Sequence, residues 1–302
     1  MRSGFLHDEP LMAFGGRSLT APPFDAENLT YTFGFPVPPS FVTLLNALCE
    51  GCGSGAAAYE RVEDALGSHL TDHESLDGYD LSPPELFPFA ATGVDGGHFG
   101  YVIHAPELPA ADYPVGRFEP SDHDEGVYLL GATTFEAFET ELSFEMRCDL
   151  KFGRFQSAFS SEWWPEVAAR LRALGIEPDP AKAGRNYENG NGKSVSPSII
   201  PEGWRHVPSA DGIGVLAPTA LFHPAPLPAL ERRPDVGAVL DAALRHAADH
   251  FPASALWLLR EGYFLSYGAI ELRGPMIDAY QALARPSLAA VVSRRMGMGH
   301  VR

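Results

Sequence analysis

The segment Phe87–His104, FPFAATGVDGGHFGYVIH, constrains the fold more than any other stretch of the chain. Two aromatic-rich apolar runs flank a turn that carries Gly93, Asp95, Gly96 and Gly97. In the second run Phe99, Tyr101 and Ile103 alternate with His98, Gly100 and Val102, the period of two that belongs to an extended strand. A glycine turn that cradles a phosphate is followed by a helix, whose N-terminus supplies free amides and a favourable dipole. Here a strand follows, so the glycines are read as the turn of a β-hairpin. This part of the chain is thereby committed to an antiparallel sheet.

Helices are expected on either side of that hairpin. In PVPPSFVTLLNALCEGCG, Phe41, Leu44, Leu45 and Leu48 form one apolar stripe, with Pro38, Pro39 and Ser40 at its entry and Gly51 at its exit. AYERVEDALGSHL reads as a second, weaker helix. After a polar loop, GVYLLGAT reads as a strand, and TTFEAFETELSFEM reads as a helix with Thr133 and Glu136 at capping-box spacing.

Further on, EWWPEVAARLRALG and DVGAVLDAALRHAADHF carry helical stripes, and MIDAYQALARPSLAAVVSRRM reads as a helix interrupted at Pro286. ALWLLREGYFLSYG is a strand or a buried helix, which periodicity leaves open. The expected fold class is α+β, a mostly antiparallel sheet packed against helices, followed by a second α-rich mixed region. Residues 1–25 are expected to form an N-terminal arm, 26–150 an acidic domain and 151–302 a second domain. The acidic domain is then expected to bind on its own when the chain is cut near residue 150.

Charge separates these parts. Residues 1–150 hold 25 Asp and Glu against 5 Lys and Arg, a formal charge of −20, whereas 151–302 hold 14 against 17, or +3. A field of that sign repels nucleic acid and draws in basic partners. No apolar run approaches the roughly 20 residues that span a bilayer, and the opening MRSGFLHDEPLMAFGG lacks the apolar block of an export signal. With three cysteines, a cytoplasmic protein with reduced thiols is expected.

Several motifs invite a chemical reading. NGNGKS, Asn189–Ser194, ends like a phosphate-binding loop, but the position of its first glycine is Tyr187, and it is read as a surface loop. Cys49 and Cys52 form a C-x-x-C pair at the C-terminal end of the expected helix, where the dipole opposes thiolate formation, so they are read as packed, ordinary thiols. His98 and His104 are expected to face the same way on one strand. With His123 and Asp122 they make a candidate metal site, and a metal-dependent hydrolase is the alternative enzymatic reading. No cofactor-binding fingerprint is present, and no cofactor is expected.

Taken in order, three of these segments resemble the SUKH superfamily. PVPPSFVTLLNAL followed by GCGSG is similar to its proline-led opening helix and glycine-rich turn. LFPFAATGVDGGHFGYVI looks like its central strand, Asp/Gly turn and aromatic strand, and VYLLGATTFEAFETEL like its last strand and closing helix. The resemblance covers about residues 30–145 and departs from the family pattern at Gly96-Gly97-His98, where an acidic residue more often follows the glycine. It implies an α+β fold and a non-enzymatic binding module. Bacterial members are commonly immunity proteins that neutralise a toxin, often a nuclease, and fungal members are signalling scaffolds. The resemblance thus implies a basic protein partner, met by the sheet surface and by Asp95, Asp122, Asp124 and Glu125 in acidic loops. A regulatory scaffold acting through residues 151–302 is a further alternative.

Overall fold

The fold is that of a computed structural model, which describes residues 19–71, 81–92, 97–108, 110–120, 126–152, 158–181 and 195–297. Its first helix, α1 (Ala26–Phe33), starts where the Asp25 carboxylate accepts from Asn28 N and stops at Gly34, whose φ of 76° takes the chain out of the helix. α2 (Pro39–Cys49) follows with Pro39 in its first turn. It buries Phe41, Leu44, Leu45, Leu48 and Cys49, the stripe read from the sequence. α3 (Gly55–Leu66) is capped by the Ser54 hydroxyl, which accepts from Ala57 N.

Five strands then form one antiparallel sheet in sequential order: β1 (His69–Leu70), β2 (Leu86–Ala91), β3 (His98–Val102), β4 (Val115–Phe118) and β5 (Tyr128–Gly131). The hairpin reading holds: β2 and β3 pair from Leu86 opposite Val102 to Ala91 opposite His98, and Thr92 N donates to Gly97 O at 2.8 Å. Gly93, Asp95 and Gly96 lie outside the described residues. Pro88, which lacks an N–H, sits opposite Gly100 where the register shifts. A Cβ on Gly100 would lie 2.2 Å from the Phe87 carbonyl oxygen, so this close approach excludes any side chain. α4 (Thr134–Phe152) closes the first region. The Thr133 hydroxyl accepts from Glu136 N, and the Glu136 carboxylate accepts in return from Ala132 N, one residue before the cap, a variant of the capping box.

The sheet is buried on both faces. Phe89, Phe99 and Tyr101 point to one side, where Phe41 of α2 and Phe138 of α4 pack among them at centroid distances of 4.9–6.1 Å. Leu86, Val102 and Phe118 point to the other side, where they pack with Val195, Ile213 and Phe264 from later in the chain. Every residue of β3 is buried. The sheet surface expected to meet a partner is therefore covered by the chain's own C-terminal region.

That region holds α5 (Trp164–Ala173), a hairpin of β6 (Trp204–Val207) with β7 (Val215–Pro218), and helices α6 (Val236–Ala248), α7 (Pro252–Leu265), α8 (Arg273–Ala282) and α9 (Pro286–Gly297). The segment whose type periodicity left open is α7, a helix buried without interruption from Ala253 to Arg260. Such all-round burial erases the amphipathic signature. Pro286 begins α9 rather than kinking a continuous helix, because α8 has already ended at Ala282 and Ala284 turns at φ 58°. Among the described residues no helix is long and apolar enough to cross a membrane.

One buried cluster runs from Phe24 to Val292 and includes Trp164, Val167 and Leu171 of α5 with residues of α6 to α9. Buried arginines join the regions: Arg260 meets Glu85, Arg285 meets Glu107, and Arg295 donates to the Ser82 carbonyl. This argues against a self-sufficient module ending near residue 150. Such a fragment bares Leu86, Val102 and Phe118 and strands Glu85 in an apolar setting. It is expected to lack a cooperative thermal transition and near-ultraviolet circular dichroism, both present in the full chain. A fragment that melts cooperatively would show that the first region stands alone.

Candidate functional site

Beyond β3 the chain from Ile103 to Pro114 loops to β4. With Thr133, Leu216 and the stretch from Pro197 to Pro201 it walls a cavity of about 460 Å³. That size lies within the range of ligand pockets. The lining is mostly apolar, with His104, Asp112, Tyr113, Thr133 and Ser198 as its polar members.

Asp112 is held by the start of α4. One carboxylate oxygen accepts from Thr134 N at 3.1 Å and the other from Thr134 Oγ1 at 2.7 Å. Thr134 spends its proton there, so Tyr101 OH at 2.9 Å and Ser40 Oγ at 2.8 Å donate to it in turn. Asp112 thus ties β3, α2 and α4 together at one point.

His104 is buried, and its Nε2 donates to Val195 O at 2.8 Å. Its ring meets His206 edge to face at 5.3 Å, and His206 Nε2 donates to Ile213 O at 2.7 Å. Carbonyl acceptors set both rings in the Nε2–H tautomer. Burial, with His206 and Arg260 nearby, lowers His104 to about 3, and burial lowers His206 as well. Both rings are neutral near neutrality.

Beneath them lies an ionic cluster. Arg260 donates through Nε and Nη2 to Asp211 Oδ2 at 2.9 and 2.5 Å, and through Nη1 to Glu85 Oε1 at 2.7 Å and Gly214 O at 2.6 Å. Tyr280 OH donates to the same Glu85 oxygen at 2.8 Å, and Glu85 Oε2 has no hydrogen-bond partner among the described residues. Burial pushes the Glu85 carboxyl up by more than Arg260 pulls it down. Burial also presses Asp211 upward, but Arg260 and hydrogen bonds from Ser209, Ile213 and Gly214 outweigh it and hold the carboxyl low. The arginine stays charged, because its two carboxylates outweigh its own desolvation.

The residues singled out from the sequence are placed differently. Asp95, Asp122, Asp124, Glu125 and His123 lie outside the described residues, as does NGNGKS. His98 and His104 do not share a strand face, because β3 ends at Val102. His98 Nε2 shares a 2.5 Å hydrogen bond with Ser82 Oγ and its ring lies edge-on to Phe118, whereas His104 faces Val195 and His206. Among the described residues no group of three His, Cys, Asp or Glu side chains is arranged to hold a metal. Cys49 and Cys52 are free thiols donating to Ala58 O and Ala57 O at 3.6 Å. Burial, then Cys52, pushes Cys49 up to about 12, so it stays protonated.

Glu85, His206, Asp211, Arg260 and Tyr280 were not legible as a group. The one local signal is Arg260 itself, a charge inside the apolar run LWLLREGYFL, which demands buried partners. No protein-family model matches the chain, and no curated protein matches its sequence.

Proposed function

We propose that this chain is a non-enzymatic protein-binding module of the SUKH type, an immunity protein that neutralises a basic, nuclease-type toxin by direct binding. The observation that carries the reading is the charge of −20 on residues 1–150 beside +3 on the remainder. A basic partner is steered toward such a field, and its association rate falls as salt screens it. The antiparallel sheet backed by α2 and α4 is compatible with this type of module.

Because both sheet faces are covered, the contact surface in this reading lies on loops and outer helix faces. The loop carboxylates Asp95, Asp122, Asp124 and Glu125 are its leading candidates. On α3, Glu60 and Asp64 are exposed and Glu63 lies between them. Asp64 is raised by partial burial and then by repulsion from Glu63 and Glu60. The test is protection. Cells expressing the toxin encoded beside this gene are expected to survive with the intact protein and to lose most of that protection when Asp122, Asp124 and Glu125 are replaced together by Asn and Gln. Absence of rescue by the intact protein would sink the proposal.

A further inference from the structure

We infer that the cavity at the exit of β3 is the seat for one aromatic side chain of the protein partner, a Trp or Tyr that brings its own hydrogen-bond donor. This rests on the protein-binding reading above and names the chemistry of the contact. Three observations point the same way.

The cavity's walls favour an apolar body. Val102, Ile103, Ala105, Leu108 and Leu216 line it, and its volume of about 460 Å³ accommodates a large ring. The apolar surface also continues outward. Ile199, on the rim, is 78% exposed and its neighbour Ile200 is 49% exposed, forming a greasy lip for a macromolecular surface rather than an enclosed small-molecule chamber.

One group of the polar lining, His104, asks for a donor. His104 gives its single proton to Val195 O, so Nδ1 remains as the ring's acceptor, and burial keeps the ring neutral at ordinary pH. An indole N–H or a phenolic O–H satisfies such an acceptor and an aliphatic side chain does not. Rings of this kind dominate the energetics of protein interfaces.

The charges select the partner. Most of the lining belongs to the acidic first 150 residues, Asp112 is its charged member, and neither Lys nor Arg is among the lining residues described. An anionic ligand is therefore disfavoured, whereas a neutral ring flanked by cations on a basic partner is complementary.

The test uses the full chain with N-acetyl-L-tryptophanamide as the probe and N-acetyl-L-leucinamide as its control, followed by chemical shifts of the His104 ring and the Ile199 amide. Saturable shifts are expected with the tryptophan probe, and affinity about three- to tenfold weaker with leucine, the worth of one hydrogen bond. Ala111→Trp and Ser198→Trp, at exposed lining positions, are expected to fill the cavity, abolish the shifts and weaken protection without lowering the melting temperature. No saturable shift, or equal affinity for the two probes, overturns the inference. Protection by the intact protein that survives both filling variants at unchanged melting temperature overturns it while leaving the immunity reading intact. If the intact protein gives no protection, the anchor falls with its premise, and any probe binding then assigns the cavity to a free small aromatic molecule.

Discussion

Replacing Arg260 by Met is expected to destabilise the protein by about 3–5 kcal/mol, the cost of breaking a buried ion pair by removing one partner. Arg260, Glu85 and Asp211 are each under 5% exposed, and one guanidinium serves both carboxylates. Without it, Glu85 keeps only the Tyr280 hydroxyl, and Asp211 keeps Ser209, Ile213 N and Gly214 N. A typical domain has only about 5–15 kcal/mol of stability in total, so urea titration of Arg260→Met is expected to show a large drop in midpoint. Adding Glu85→Gln and Asp211→Asn to Arg260→Met is expected to recover part of the loss, since the triple variant buries no unpaired charge. A single variant that unfolds at the wild-type urea concentration would show that the cluster contributes little.

Acid is the second large effect. His104 has its folded pKa depressed from the ordinary 6.5 to about 3, so the stability that goes with its neutral form is complete above 6.5. It is lost progressively as the pH falls toward 3. At 1.36 kcal/mol per unit, full protonation of the unfolded chain against a neutral folded ring costs on the order of 5 kcal/mol. His206 acts in the same direction, and protonating both rings places two cations edge to face beside Arg260, with Asp211 as the facing carboxylate. Asp211 is itself depressed, so its contribution also fades as the pH drops through its folded value. Glu85 opposes this: its raised pKa makes the protonated, acid-side form the better tolerated one. Unfolding free energies measured from about pH 8 to about pH 4 are expected to fall most steeply below 6.5, and His104→Gln, which can still donate to Val195 O, is expected to flatten that slope. An unchanged slope in His104→Gln would assign the acid response elsewhere.

Legibility in the sequence tracked how local each interaction is. α2, α4 and the hairpin of β2 with β3 were readable because their apolar periods and caps lie within a dozen residues of one another. α1 escaped notice because AENLTYTF buries only Leu29, Thr32 and Phe33 and carries its cap in the preceding Asp25. β4 was missed because VGRF is four residues long and holds a glycine and an arginine. The pairing of Ser40, Tyr101, Asp112 and Thr134 spans 94 positions, and no pattern along the chain announces it.

The sequence by itself determined the α+β class, the hairpin turn at the glycines, the packed thiols of Cys49 and Cys52, and the acidity of the first 150 residues. Each of these depends on neighbours in the chain or on counting. Tertiary structure alone decided that the alternating face of β3, with His98, Gly100 and Val102, lies under residues 195–264 rather than in water. It alone joined Glu85 to Arg260 across 175 positions and His104 to Val195 across 91. Alternation reports that two faces differ but carries no record of what covers either. A buried charge declares that it needs a partner, and only the folded chain names one.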